Sequence, residues 1–462
     1  MNKKRLFPIF FFCAVAALCF LTSANITAME RTYGSRKHHG AFENSPRVDP
    51  YMPAGSLGDV HYHALPGDFS NGCGVMHVFF KCLKTERLRV RGFVHFEPTG
   101  TPRRAWDKGN LQFAGDQPTY ARLNMSLLHR KTAVQRNIGF QFLAPDSTEE
   151  LTPPQFFFEV RGTASSALEF SLTFHGVPRM IHLDLCLQEA RPSSSGHGHN
   201  STVAVLIPWA RKEGLEAHPV LVATFLSHHL QLGLDRVVLF LRSAHKAAYL
   251  RNPAWLDPVR SNVIDGSLSL VEWDGQLAQP LLDSERIDDY FDQTVMYNYA
   301  ILAFWGTPTR LLLTDIDEFL LLQPQATLGA LQSHGCLSTI SGCMDISRRA
   351  YSPGGNAASI ISADFDDHAW GELRRKYGFS GVGNLVATLT SPENTTEPLG
   401  KLLVDPNSIV SMHIHLGFAC EEGALPCDKV QACSPVPEEC VSILHNRNMM
   451  CMRGNRPESE CT

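Results

Sequence analysis

Two hydrophobic rhythms divide this chain. Between residues 61 and 190 apolar and polar positions alternate, as in Leu168-Glu169-Phe170-Ser171-Leu172-Thr173-Phe174 and Ile181-His182-Leu183-Asp184-Leu185-Cys186-Leu187. Val75 to Phe80, Leu88 to Phe96, Ile138 to Phe142 and Phe156 to Val160 repeat the pattern between Pro/Gly turns. Period two places alternate side chains on one face of a strand, so this stretch predicts an antiparallel β-sandwich. Its functional reading is a carbohydrate-binding or acceptor-positioning module, and its plain reading a structural spacer. Pro192 to His199, rich in Ser and Gly, then breaks the rhythm and reads as a linker over 191–201. From Val203 the apolar runs become continuous. Val203 to Ile207, Val237 to Phe240, Leu268 to Trp273 and Arg310 to Thr314 read as buried strands. Pro219 to Leu232 has helical spacing (Val220, Val222, Ala223, Leu226, Leu230) and ends at Gly233, while Ile287 to Phe304 reads as a further helix. Strand alternating with helix predicts an α/β, Rossmann-like, mostly parallel sheet over 202–455, covered on both faces.

The N-terminus adds an address. Lys3, Lys4 and Arg5 precede an apolar run from Leu6 to Leu21. At about 1.5 Å per residue the run spans roughly 24 Å, short for a plasma membrane but near the thinner bilayers of the early secretory pathway. Residues 1–29 therefore read as a signal anchor, or as a signal peptide cut near Thr22-Ser23-Ala24, followed by a polar stem over 30–60. Either way the body faces the lumen; an uncleaved segment would hold it to the membrane, and cleavage would release it for secretion. Sequons at Asn25, Asn124, Asn200 and Asn394 agree with that address. Cys13 and Cys19 lie in the apolar run, and Cys420, Cys427, Cys433, Cys440, Cys451 and Cys461 crowd the C-terminus. In an oxidising lumen these read as disulfides; zinc is the rival, but its C-x2-C pairs are lacking. A net charge of −5 lacks the positive field that a nucleic-acid binder needs.

Candidate chemistry sits where Arg310 to Thr314 runs into Asp315-Ile316-Asp317-Glu318-Phe319. Two carboxylates one residue apart, leaving a buried strand, suit a hard divalent cation whose open positions face a diphosphate. D-x-D alone is weak, since Asp364-Phe365-Asp366 is a second one in the same chain. The strand context and the following Glu318-Phe319 favour the first.

The segment QTVMYNYAILAFWGTPTRLLLTDIDEFLLL, Gln293 to Leu322, resembles the core of glycosyltransferase family 92. In that family a helix bearing Gln leads to a strand and then D-x-D-E-F. Ile207 to Glu213, Ser227-His228-His229 with Gly233, Val271-Glu272-Trp273, Lys401 to Pro406, the His413/His415 pair and Leu444-His445-Asn446-Arg447 resemble further family pieces in the same order. The run Leu241-Arg242-Ser243-Ala244-His245 departs from the family's Tyr/Asp/Asn/Ser-rich turn, and Asn446 stands where the family has Tyr.

The resemblance implies a GT-A fold and a Golgi-membrane, lumenal transferase of the plant and algal galactan synthase type. It would move a sugar, galactose first among them, from a UDP-sugar donor to a glycan acceptor, with inversion and with Mn2+ or another divalent cation. Asp317 would bind the metal directly and Asp315 the donor ribose or the metal. His445, or else His415, would complete the metal site. Arg211, Glu213, Gln293 and Lys401 would face the donor. Inversion needs a carboxylate base, for which Asp366, Asp367 and Glu372 are candidates. Trp370 and Tyr377 are candidates for stacking on a sugar ring. A homodimer is compatible with all of this. The alternative is a lumenal glycan-binding or assembly protein that keeps the fold without turnover.

Overall fold

The structure, a computed structural model, describes residues 57, 60–69, 72–84, 88–98, 124–129, 136–138, 155–160, 168–174, 177–182, 201–207, 219–241, 243–272, 288–323, 326–337, 342–352, 391–412, 415–421, 423, 425 and 429–446. Among these, strands β1 (Val60–Phe69), β2 (Gly72–Lys84), β3 (Leu88–Pro98), β4 (Asn124–His129), β5 (Arg136–Ile138), β6 (Gln155–Val160), β7 (Leu168–Phe174) and β8 (Val177–His182) precede residue 190. They form two antiparallel four-stranded sheets, ordered β1-β2-β3-β6 and β5-β4-β7-β8. Antiparallel pairing is what their alternation demands.

The second half is α/β. Strands β9 (Ser201–Leu206), β10 (Arg236–Leu241), β11 (Leu268–Glu272) and β12 (Thr309–Thr314) are joined by helices α1 (Pro219–Gln231), α2 (Ser243–Arg251), α3 (Pro253–Leu256), α4 (Arg260–Ile264) and α5 (Asp288–Phe304). Then come β13 (Glu318–Leu322), α6 (Leu328–His334), β14 (Cys343–Ser352), β15 (Ser391–Val404), β16 (Ile409–Met412), β17 (Gly417–Cys420), β18 (Val430–Ala432), β19 (Ser434–Pro435) and β20 (Val441–Asn446). β11-β10-β9-β12 are parallel neighbours in that order, and the sheet continues as β15-β14-β20-β13, with β15 antiparallel to β12 and to β14. One half is thus parallel, as the continuous apolar runs predict, and the other mixed. Gly233, which stops α1, has φ +91°, a left-handed value that suits glycine at a helix C-terminus.

The sheet curls, and chain reach shows why it must. Thr314 and Glu318 are four residues apart, about 14 Å at full extension. Along the sheet, however, β12 and β13 are separated by four strand spacings, about 19 Å if flat. The acidic turn therefore brings the last strand back toward the fourth.

The core lies on both faces. Val222, Phe225 and Leu226 of α1 pack with Tyr249 and Leu256 on one side, and α5 supplies Val295, Tyr299 and Ile301 on the other. α5 is buried nearly all round because β2 and β3 cover its outer side. Tyr299 meets Phe240 of β10 edge-on at 6.2 Å and Phe79 of β2 at 6.1 Å. Three cations fasten this layer. Lys81 Nζ donates to the carbonyls of Ala303 (2.6 Å) and Trp305 (2.9 Å), where the α5 dipole is negative. Arg91 donates to the Pro406 and Ile409 carbonyls, and Arg89 to that of Leu425 while lying over the Phe157 and Trp305 rings.

Disulfides join Cys336 to Cys440 and Cys343 to Cys433, and Cys82 and Cys420 are disulfide-bonded as well. The C-terminal cysteines Cys433 and Cys440 thus reach back 90 and 104 residues, spans for which loop-closure entropy contributes about 4–5 kcal/mol each in the chain-entropy model. Among the described residues no helix is long and apolar enough to cross a membrane; Leu6 to Leu21 lies outside them.

Lys81→Met keeps the aliphatic stem and deprives two buried helix-end carbonyls of their donor. The unfolding free energy is expected to fall by about 2–4 kcal/mol, read from the urea midpoint.

Candidate functional site

Asp315, Ile316, Asp317 and Glu318 form a β-turn closed by the Glu318 amide on the Asp315 carbonyl at 3.2 Å. Glu318 folds back over it: its Oε2 accepts from the Asp315 amide (2.9 Å) and from Thr314 Oγ1 (3.0 Å). Its Oε1 accepts from Arg348 Nη1 of β14 at 2.9 Å, and Lys401 Nζ of β15 lies 3.5 Å from Oε2. Lys401 also donates to Asp315 Oδ2 at 2.7 Å, and Gln293 of α5 donates to Asp315 Oδ1 at 2.9 Å and to Tyr297 Oη at 3.0 Å. The Lys401 and Glu318 side chains have no exposed surface. A side chain on the neighbouring Gly400 would meet Asp345 Oδ1 at 2.0 Å, so glycine lets β15 approach β14 just where Lys401 enters.

Burial alone would drive Glu318 toward its neutral form, but Lys401, with His445 and Arg348, outweighs burial and the Asp315 charge and holds its pKa below the ordinary value. Burial likewise opposes the Lys401 ammonium, yet Asp315 and Glu318 prevail and raise its pKa. Both groups are charged in the folded chain.

Asp317 is buried in the turn. Because Glu318 pairs in register with His445, β20 delivers the imidazole beside it, with His445 Nε2 3.9 Å from Asp317 Oδ2. That separation is too long for a hydrogen bond. It falls within the roughly 4 Å that two ligands of one small cation can span at about 2.1 Å each. Among the described residues no group of three or more His, Cys, Asp or Glu stands ready for a metal. Asp317 and His445 would supply one carboxylate and one imidazole donor to a cation; small divalent cations are commonly held by one or two carboxylates plus substrate phosphates. Asp315, with both oxygens accepting from Lys401 and Gln293, serves to hold the turn. His415 Nδ1 bonds the Gly400 carbonyl at 2.9 Å and does not join Asp317 and His445 in a ligand group.

The turn lies at the carboxyl end of β12. β9 leads through α1 to β10 on one side and pairs with β12 on the other, so strand order reverses between β9 and β12, the position where open α/β sheets bind ligands. The far side of the turn is secured by α1. His228 Nε2 bonds the Leu320 carbonyl at 2.8 Å, and His229 Nε2 accepts the Leu320 amide at 3.2 Å while its Nδ1 bonds the Phe225 carbonyl. These contacts require Nδ1–H on His229, and they satisfy the outer edge of β13.

The structure thus unites Asp315, Asp317, Gln293, Lys401 and His445, five of the residues singled out from sequence. Arg211, Glu213, Asp366, Asp367 and Glu372 lie outside the described residues, as do Trp370 and Tyr377. Sequence reasoning missed Arg348, Tyr297 and the structural role of His229. Glu318 had a signal in its place directly after D-x-D; Arg348, one of two adjacent arginines, had none.

No family model and no curated protein matches the chain. Among solved structures, 4-diphosphocytidyl-2C-methyl-D-erythritol synthase from Anaerococcus prevotii is similar over 45% of this chain and 72% of its own, with 11% identity and a TM-score of 0.22. A likeness of that size carries no argument about this chain.

Burial lowers His229 to about 3, with His228 adding repulsion, and lowers His415 to about 4, with Lys401 and Arg348 adding repulsion. Unfolded, both titrate near 6.5. The unfolded chain therefore binds more protons below that pH, so the stability these groups contribute is complete above pH 6.5 and is lost as pH falls toward 4. The urea midpoint should drop across this window. His415→Gln should reduce the slope by about one proton relative to the unmodified protein.

Proposed function

We propose that this chain is a lumenal, metal-dependent glycosyltransferase with a GT-A-like catalytic unit, moving a sugar from a UDP-sugar to a glycan. The observation that carries the reading is the placement of Asp317 and His445 together at the carboxyl end of β12, beside the strand-order reversal. A nucleotide laid in that crevice would bring its diphosphate to the acidic turn. A divalent cation held by Asp317 and His445 would supply positive charge opposite the departing diphosphate.

The chain's own residues do the positioning. Lys401 and Gln293 hold the Asp315 carboxylate, Glu318 fixes the turn, and Tyr297 Oη reaches the Thr314 carbonyl at 3.4 Å from beneath. The resemblance to family 92 supports the donor class, and galactose is the first sugar to test. The proton from the acceptor hydroxyl would go to a carboxylate, for which Asp366, Asp367 and Glu372 remain the candidates from sequence. The Golgi membrane is the proposed station, reached through the segment 1–29, and the two β-sheets before residue 190 are proposed to position the acceptor.

Purified full-length protein with Mn2+ and a panel of nucleotide sugars should release UDP from a UDP-sugar. Asp317→Ala should lower that release at least about 100-fold with circular dichroism unchanged. Glycan binding without turnover of any donor would sink the proposal and favour the assembly-protein alternative.

A further inference from the structure

We propose that Arg348 is a positioning residue that sets the cation affinity of the Asp317–His445 pair through Glu318. The inference rests on reading those two residues as cation ligands. Nothing in the resemblance assigns Arg348 a part.

Glu318 is wholly buried and both its oxygens are engaged. Oε2 takes the Asp315 amide and the Thr314 hydroxyl, which shapes the turn from within. Oε1 takes Arg348 Nη1 at 2.9 Å, whereas Lys401 stands 3.5 Å from Oε2, contributing charge more than a directed bond. Arg348 therefore settles how the Glu318 carboxylate is rotated, and the turn that carries Asp317 follows it. The same strand, β14, runs beside β20 with Arg348 opposite Ile443 and Ala350 opposite His445. One guanidinium thus ties the turn bearing the carboxylate ligand to the strand pair bearing the imidazole ligand.

This makes the sign of the effect informative. By Coulomb's law alone, removing a positive charge close to the site would tighten binding of a divalent cation. If Arg348 acts by position, its removal weakens binding, because the 3.9 Å spacing of the two donors is no longer held. Groups that orient metal ligands without touching the metal typically change affinity by about 10–100-fold.

The experiment titrates full-length protein with Mn2+ alone, following free Mn2+ by electron paramagnetic resonance and thermal unfolding in parallel. Arg348→Met should weaken Mn2+ binding at least about tenfold, measured at a temperature where the unfolding curve shows the variant still folded. Glu318→Gln should weaken it too, and the double variant should be no weaker than the worse single one, because both changes break one path. Binding by Arg348→Met that equals or exceeds that of the unmodified protein overturns the proposal, as does additivity in the double variant. If Arg348→Met does not fold, Arg348→Lys decides: it keeps the charge but its shorter side chain draws the donor back, so weakened binding by the folded variant supports the proposal and unchanged binding overturns it. If the unmodified protein binds no Mn2+, the cation reading itself fails. If it binds and Arg348→Met binds equally well, the assignment to Arg348 fails alone.

Discussion

One buried carboxylate links three strands of the curled main sheet. Glu318 stands at the start of the last strand yet reaches cations on β14 and β15, which a flat sheet would set well apart. An unpaired carboxylate at that depth would not stay ionised. Arg348 and Lys401 keep it charged, and the Asp315 amide and Thr314 hydroxyl occupy its other lone pairs. Such a cluster contributes less net stability than its distances suggest, because each charge has lost its water. Removing one member, however, strands the rest and costs about 3–5 kcal/mol. The cluster therefore acts as a specification: the turn has one arrangement in which every member is satisfied.

The acidic turn inherits its chemistry from this closure. Within the cluster, three carboxylates (Asp315, Asp317, Glu318) face two permanent cations (Lys401, Arg348). Asp315 and Glu318 bond those cations, and Asp317 lies beside the His445 imidazole. A buried carboxylate and an imidazole thus lie 3.9 Å apart at the carboxyl end of a parallel strand, and the proposed cation and diphosphate would meet the chain there.

The layers around the site hold it in place. α5 carries Gln293 and Tyr297 into the turn from one face, and α1 fastens the edge of β13 from the other through His228 and His229. α5 would expose its outer apolar side if β2 and β3 did not cover it. Lys81, Arg89 and Arg91 bond backbone carbonyls of the α/β unit, so this cover is fixed by charge-assisted hydrogen bonds as well as by Phe79 and Phe93.

Much of this was legible in the residues. Continuous apolar runs such as Val203 to Ile207 mark strands buried on both faces, and the spacing of Val222, Ala223 and Leu226 marks the face of α1 that packs on them. Period-two stretches such as Leu88 to Phe96, Phe156 to Val160 and Leu168 to Phe174 marked strands that do pair antiparallel, and Asp315 and Asp317 were conspicuous because they follow a buried strand directly. All of these signals are local: they arise from the repeat of the backbone itself. Pairings across the chain are of another kind. That Cys336 reaches Cys440, that Arg348 enters the cluster while Arg349 bonds Glu438 at the surface, and that His445 lies against Glu318 all follow from how distant segments meet, which no nearby residue encodes. The sequence by itself determined the kinds of element and the place of the acidic turn. Only the tertiary structure decided which distant cations neutralise it and which imidazole meets it, because a buried charge selects its partners by what the closed sheet brings within a few ångströms.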